Sequence, residues 1–183
     1  KFRELIPDAI ENGVDLLAEQ FGGSAEEQKV EVSLPGVDLP VLGFIDLCSS
    51  DSFCEVKTKA PRMGAVKKDG SRGWTKAAIP AKPQFEHICQ VAIYQLATGL
   101  KPHIAYVSAT GGVLFSPENC EELSPEYLAY CVEEMRGRAI RRQNLMGLST
   151  DPKVLAGVLD PDFQHPFYWD EDFIEEAKEL WKA

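Results

Sequence analysis

The stretch that decides the fold is residues 43–59, which read GFIDLCSSDSFCEVKTK. If residues 49–52 form a four-residue hairpin loop, residue 48 lies opposite 53 and Asp46 lies opposite Glu55. Lys57 is two residues beyond Glu55, so both side chains lie on the same face of the sheet. The alternate side chains are expected to be buried on the other face: Ile45, Leu47, Cys54 and Val56. The pattern therefore predicts a hairpin that presents two carboxylates beside one ammonium group.

Two carboxylates that face each other across a hairpin destabilise it, unless a cation lies between them or one of them is protonated. Oxygen ligands of this kind suit Mg²⁺ or Mn²⁺, which bind carboxylates, water and phosphate oxygens. Such an ion polarises a phosphodiester and lowers the pKa of a bound water, and Lys57 would orient that water or stabilise developing charge. A surface hairpin with a Glu55–Lys57 ion pair has the same local pattern, so the pattern alone does not decide between them.

The rest of the chain predicts helices on both sides of this hairpin. Apolar residues at helical spacing predict helices at residues 2–21, 84–98, 125–148 and 170–182. Alternating apolar residues predict strands at residues 30–34, 41–47, 53–59, 104–107 and 112–115. The predicted class is α/β, with a mixed central β-sheet flanked by helices, the order α-βββ-α-β and a helical C-terminal extension.

Charge is distributed unevenly along the 183 residues. The net charge is −10, from 19 Lys and Arg against 29 Asp and Glu, which disfavours nonspecific binding to nucleic acid or anionic membranes. Residues 57–82, however, hold eight cations and one acid, a net charge of +7. A basic segment in an acidic protein is a candidate site for a focused anion, although a solvated loop would have the same composition.

The residues Asp46 and Glu55-Val56-Lys57, followed by an amphipathic helix, resemble the PD-(D/E)XK nuclease superfamily. The Gln90-xxx-Tyr94 spacing on that helix is similar to an additional motif of the RecB-type and phage (lambda-type) exonuclease branch. The resemblance covers about residues 5–115 and implies a restriction-endonuclease-like core. Ile45 stands where the superfamily usually has a Pro before the first Asp, a departure that removes no ligand.

The resemblance implies hydrolysis of phosphodiester bonds with one or two Mg²⁺ or Mn²⁺ ions. It makes Asp46 and Glu55 metal ligands, the Val56 carbonyl a third ligand, and Lys57 the catalytic lysine. Some members of the branch hold an iron–sulfur cluster on one early and three late cysteines. The five cysteines of this chain lack that spacing, so no iron–sulfur cluster is expected.

Helical residues add to the implied site. Gln90 and Tyr94 lie one turn apart on one face, where they would contact DNA or support the metal site, or else form the polar edge of a buried helix. His87, one turn earlier, either joins that face or is an ordinary surface histidine, and the second interpretation is the favoured one. The superfamily often places another ligand on the first helix, where three acids are available: Glu11, Asp15 and Glu19. Glu19 is favoured because it lies nearest the flank of the apolar face.

The long loop over residues 60–83 follows the catalytic strand directly. We expect it to close over a DNA strand, with phosphates contacted by six cations of the region: Lys59, Arg62, Lys67, Lys68, Arg72 and Lys76. Trp74 is expected either to stack on a base or to anchor the loop by packing.

Length and composition predict one nuclease domain over residues 1–148, with an aromatic-rich, acidic helical extension of the same domain over 149–183. The odd number of cysteines, without zinc-site spacing, favours reduced thiols, and we expect a cytoplasmic protein of a bacterial or phage-infected cell rather than a secreted one. No apolar run approaches the length of a membrane span, so no membrane partner is expected.

The combined expectation is a metal-dependent DNA exonuclease that acts on a DNA end or single strand, in recombination, repair or phage replication. A structure- or sequence-specific endonuclease on the same fold is one alternative, and a non-catalytic nucleic-acid-binding subunit is another. Whether the chain forms a homo-oligomer or binds a recombination partner protein stays open.

Overall fold

The computed structural model describes residues 5–22, 26–61, 68, 70–73, 78–158 and 171–182. Its helices within these ranges are α1 (Ile6–Phe21), α2 (Phe85–Thr98), α3 (Pro125–Met146), α4 (Pro152–Ala156) and α5 (Glu171–Lys182). Its strands are β1 (Glu26–Val32), β2 (Val41–Cys48), β3 (Ser52–Thr58), β4 (Lys101–Ser108) and β5 (Gly111–Phe115). The predicted order α-βββ-α-β is confirmed, whereas the short helix α4, whose N-cap Asp151 accepts the Lys153 backbone N–H, was not predicted.

The five strands form one sheet in the order β1-β2-β3-β4-β5. Strands β3 and β4 run parallel, and the other neighbouring pairs run antiparallel. Parallel neighbours require a crossover connection, and α2 supplies it between β3 and β4. The α/β class and the mixed sheet flanked by helices are therefore confirmed.

The two faces of the sheet are covered by different helices. On one face, Leu17 and Phe21 of α1 pack with Cys54 of β3 and with Ala105 and Val107 of β4. The alternate residues of β3 point to the opposite face, where α2 packs against the sheet. Helix α2 ends at Gly99, whose φ of 70° is the left-handed conformation that glycine adopts most easily. The end of this helix at residue 98, predicted from the sequence, is therefore confirmed.

The chain divides into two compact units. The first comprises Lys1–Leu34 and Leu39–Met135, and the second comprises Pro35–Asp38 and Arg136–Ala183. In the second unit, the Asp38 backbone N–H donates to Gln143 Oε1 at 2.8 Å. The division falls within α3, so the boundary placed at 148/149 from the sequence lies inside the second unit. Among the helices described, none combines the length and apolarity needed to cross a membrane.

Candidate active site

Ser49 closes the hairpin that carries the two acids. Its backbone N–H donates to Ser52 O at 2.9 Å, and its hydroxyl oxygen accepts the Ser52 backbone N–H at 3.3 Å. On either side of this turn, Cys48 of β2 pairs with Phe53 of β3. The predicted loop and its register are therefore confirmed at the turn.

Counted from the turn, the backbone pairing of β2 with β3 extends to Leu47 and Cys54 and ends before it reaches Asp46. The pairs Leu47–Cys54 and Cys48–Phe53 keep the predicted register, in which Asp46 lies opposite Glu55. Asp46 Oδ2 accepts the backbone N–H of Val56, the next residue of β3, at 2.8 Å. The direct opposition of the two acids stays a prediction. The two acids still interact: burial raises the pKa of the Glu55 carboxyl, and the nearby charge of Asp46 raises it further.

Strand β2 contains a β-bulge where it pairs with β1. Ile45 pairs with Gln28 of β1 and Cys48 pairs with Glu26, so three steps along β2 match two steps along β1. The extra residue lies at positions 46–47, and a bulge both interrupts pairing and redirects a side chain. The carboxylate of Asp46, at this bulge, accepts a hydrogen bond from the backbone of β3.

Glu55 is an acid within the protein interior. Its residue is only 4% exposed, and its Oε1 accepts hydrogen bonds from Lys57 Nζ at 2.6 Å and Gln90 Nε2 at 2.8 Å. Its second oxygen, Oε2, is buried and has no hydrogen-bond partner in the described part of the chain. A buried acceptor without a partner costs about 1–3 kcal/mol, and more when it is charged. One carboxylate oxygen of the site therefore requires a cation or a donor.

Gln90 links the acid to the lysine. Its Oε1 accepts from Lys57 Nζ, and its Nε2 donates to Glu55 Oε1 and to Tyr94 Oη, each at 2.8 Å. The orientation of the amide follows from its partners, because the ammonium only donates and a carboxylate only accepts. The structure thus brings together four of the predicted residues: Glu55, Lys57, Gln90 and Tyr94.

Tyr94 packs closely against β2, and it can do so because Gly43 has no side chain. A Cβ atom added at position 43 would lie 2.9 Å from Tyr94 Oη and collide with the edge of the ring. Tyr94 is 5% exposed and also packs edge-on against Phe53, with ring centroids 6.2 Å apart. Gly43 was missed in the sequence, although a glycine inside a strand signals a close approach of another group.

A second cluster of hydrogen-bonded polar groups, around Tyr106, lies beside the cluster around Glu55. Tyr106 Oη accepts the Gln84 backbone N–H at 2.9 Å and lies 2.7 Å from His87 Nδ1. Burial lowers the pKa of His87 to about 4, and the charges of Lys57 and Lys59 lower it in the same direction. The expectation that His87 is an ordinary surface histidine is wrong, because its ring is half-buried and joined to a fully buried tyrosine.

Glu19, the favoured ligand from the first helix, is not gathered with the other acids. It is exposed, and at about 100° per residue it points roughly 200° away from Leu17, which packs in the core. Among the described residues, no three His, Cys, Asp or Glu side chains form a group that could hold a metal. The acids that the structure does bring into interaction are Asp46 and Glu55.

The basic residues predicted to bind nucleic acid are described only in part. Lys59 Nζ lies 3.1 Å from Gln84 Oε1 and 4.9 Å from the centre of the Tyr106 ring. Lys68 and Arg72 are exposed. The remaining predicted residues lie outside the described part of the chain: Arg62, Lys67, Trp74 and Lys76.

A cavity of about 660 Å³ lies on the other face of the sheet, between α1 and residues 58–61. Its walls include Ile10, Val14, Leu47 and Val56, and its one charged lining residue among those described is Lys59. An apolar cavity without an acid does not suit a divalent ion, so the polar cluster around Glu55 remains the candidate site.

Comparisons with known proteins add little to this geometry. No family model matches the chain, and no curated protein matches it. A solved structure described as "Crystal structure of SSO0001" aligns with a TM-score of 0.40 and 17% sequence identity, over 85% of this chain and 69% of that chain. A likeness at this level carries no argument about fold or function.

Proposed function

We propose that this chain is a Mg²⁺- or Mn²⁺-dependent deoxyribonuclease of the PD-(D/E)XK type, with a restriction-endonuclease-like core. The observation that carries the proposal is the unpartnered, buried Oε2 of Glu55, which interacts with the charge of Asp46 while Oε1 is bonded to Lys57. An exonuclease acting on a DNA end or single strand is the favoured activity, because the Gln90-xxx-Tyr94 motif resembles that branch.

A divalent cation fits the oxygen donors that are present. Glu55 offers one unpartnered oxygen, Asp46 offers a second carboxylate, and the Val56 carbonyl is a third oxygen at the same strand. Two interacting carboxylates disfavour each other's ionised form, and a cation bound to both removes that penalty.

When bound, Mg²⁺ or Mn²⁺ would polarise the phosphodiester and lower the pKa of a water. Lys57 is the residue of this chain positioned to act on the reacting phosphate. Its ammonium has three N–H donors, and the described contacts with Glu55 and Gln90 use two of them. The third can donate to the attacking water or to a phosphate oxygen as negative charge develops.

Gln90 and Tyr94 keep this lysine and acid in place. The Gln90 amide bonds both partners of the Glu55–Lys57 ion pair, so neither can rotate without breaking a hydrogen bond. Tyr94, which is 5% exposed, accepts a hydrogen bond from the Nε2 group of that amide and so fixes its orientation. Fixed geometry of this kind lowers the cost of reaching the transition state.

The proposal is tested by incubating end-labelled linear DNA and closed circular DNA with the protein in Mg²⁺, Mn²⁺ or EDTA. We expect mononucleotide or short products from linear DNA with either metal, intact circles, and no products in EDTA. Lys57→Ala should abolish cleavage, while the matched control Lys153→Ala, at an exposed lysine of α4, should cleave normally.

Two other outcomes would change the assignment. Cleavage of the closed circles would identify an endonuclease on the same fold and overturn the exonuclease assignment. DNA binding without metal-dependent cleavage would overturn the nuclease proposal itself and identify a non-catalytic nucleic-acid-binding subunit.

A further inference from the structure

The hydrogen bonds around Tyr106 fix which nitrogen of His87 carries a proton. Tyr106 is 0% exposed, so its hydroxyl group must satisfy its hydrogen bonds within the protein. Its oxygen accepts the Gln84 backbone N–H, which is a donor only, and its own hydrogen therefore needs an acceptor. His87 Nδ1, at 2.7 Å, is that acceptor. The neutral ring consequently carries its proton on Nε2.

The Nε2–H of His87 has no hydrogen-bond partner among the described residues. Besides burial, three charges act on the pKa of the ring: the positive charges of Lys57 and Lys59 lower it, and the negative charge of Glu86 raises it. Burial, with the two lysines, keeps the pKa of His87 near 4, so the ring stays neutral at physiological pH in spite of Glu86. It is therefore a neutral donor beside two positive charges.

Lys59 lies two residues beyond Lys57, a step of about 6.6 Å along an extended chain. The Lys59 ammonium is positioned by Gln84 Oε1 and by the face of the Tyr106 ring. The same tyrosine thus orients both His87 and Lys59.

We propose that Lys59 and His87 form a subsite for the backbone phosphate adjacent to the one held at Lys57, with Lys59 supplying charge and His87 Nε2–H supplying a neutral hydrogen bond. The subsite rests on the proposed function, because it identifies the anion as a nucleic acid phosphate. Tyr106 is its positioning residue, since it holds the imidazole in the tautomer that donates outward.

The subsite is tested by the binding of a fluorescein-labelled single-stranded 12-nucleotide DNA to the full chain in EDTA at pH 8, followed by anisotropy at several KCl concentrations. Lys59→Ala should weaken binding and reduce the slope of log affinity against log salt by about 0.7, the value for one phosphate contact to a single strand. His87→Ala should weaken binding about fivefold with an unchanged slope, because it removes a hydrogen bond and no charge.

Two conservative variants separate substrate contact from a structural role. His87→Gln places an amide N–H near the Nε2 position, whereas His87→Asn keeps an acceptor for Tyr106 but cannot reach outward. We expect the Gln variant to bind within about twofold of wild type and the Asn variant to bind as weakly as His87→Ala. The reverse order would overturn the subsite, since it would show that His87 only supports Tyr106.

Equal affinity of wild type, His87→Ala and Lys59→Ala would also overturn the subsite, as would a wild type that does not bind the DNA. Melting temperatures of all variants identify any loss of affinity that comes from unfolding. If a His87 variant unfolds, Tyr106→Phe serves as the second variant. It keeps the ring but no longer fixes the tautomer of His87, so it should also bind DNA more weakly. The binding assay contains no metal, so it measures DNA binding without cleavage. If binding depends on both Lys59 and His87 but the protein does not cleave DNA in the nuclease assay, the nuclease proposal is rejected and the subsite is retained.

Discussion

The two faces of β3 differ in whether they bury a charged side chain. On the α1 face, Cys54 packs with Leu17 and Phe21 in an apolar cluster. On the α2 face, next to the buried ring of Phe53, the buried acid Glu55 forms an ion pair with the partly exposed Lys57. A sheet stabilised by burial alone would place apolar residues on both faces, since unpartnered buried charge is costly. Under the proposed function, the apolar face would serve stability and the face with the buried acid would serve chemistry.

The largest expected effect separates these roles on the α2 face. Glu55→Gln keeps the shape of the side chain but removes its charge, so cleavage should fall by about 10²–10³-fold, the loss typical of one group that stabilises the transition state. Stability should be retained, because the pKa of Glu55 is raised by burial and its ionised form is the costly one. Turnover and melting temperature measured on the same preparation check both parts, and unaltered cleavage by this variant would contradict the account.

The α1 face should respond in the opposite way. Leu17→Ala removes a core side chain that is 7% exposed and should lower the free energy of unfolding by about 2–5 kcal/mol. Its turnover per folded molecule should match wild type, because Leu17 touches none of the polar cluster. Chemical denaturation and single-turnover cleavage test this, and a large loss of turnover in the folded variant would show that the two faces are not separate in function.

A smaller effect is expected at the contact between β2 and α2. Gly43→Ala places a methyl group against Tyr94, which should lower the free energy of unfolding by about 1–3 kcal/mol and displace the ring. Because Tyr94 holds Gln90, cleavage should fall as well. The double variant Gly43→Ala, Tyr94→Ala should lose less stability than the two single losses combined, since the smaller side chain removes the collision. Additive losses would contradict the described contact.

The smallest effect is the pH dependence of stability that His87 contributes. Its pKa is about 4 in the folded protein and 6.5 ordinarily, so the unfolded chain binds more protons between these values. The contribution of His87 to the free energy of unfolding is fully present above pH 6.5 and is lost as the pH falls toward 4. The raised pKa of Glu55 acts with the opposite sign, because its contribution declines as the pH rises above its ordinary value.

Comparing wild type with His87→Gln isolates the histidine from the acid. The difference in unfolding free energy between the two proteins should decline as urea denaturation is repeated from pH 7 to pH 4. A difference that does not vary with pH would show that His87 is not held neutral by the fold.

Local periodicity in the sequence was sufficient to predict part of this arrangement. The period of two along β3 places Glu55 and Lys57 on one face, and the spacing of four along α2 places Gln90 and Tyr94 together. These patterns are set by backbone geometry within one element, and the structure brings the four side chains into hydrogen-bonding contact.

Features that depend on contacts between elements could not be read from the sequence. The bulge at residues 46–47 arises from how β2 pairs with β1, so the strict alternation assumed along β2 is interrupted there. The bond between His87 and Tyr106 joins α2 to β4 across the parallel crossover. Glu19 was placed by helix periodicity alone, which gives the direction of a side chain but not what lies opposite it.

The most direct test of the central claim is a calorimetric titration of Mn²⁺ into wild type, Asp46→Asn and Glu55→Gln at pH 7 without DNA. The account predicts saturable binding of at least one ion to wild type, and affinity at least about tenfold weaker in each variant, because each removes a charged ligand. Wild-type protein that binds no Mn²⁺ at millimolar concentration, or a Glu55→Gln variant that binds it as tightly as wild type, would contradict the claim that a divalent ion occupies the space beside Glu55 Oε2.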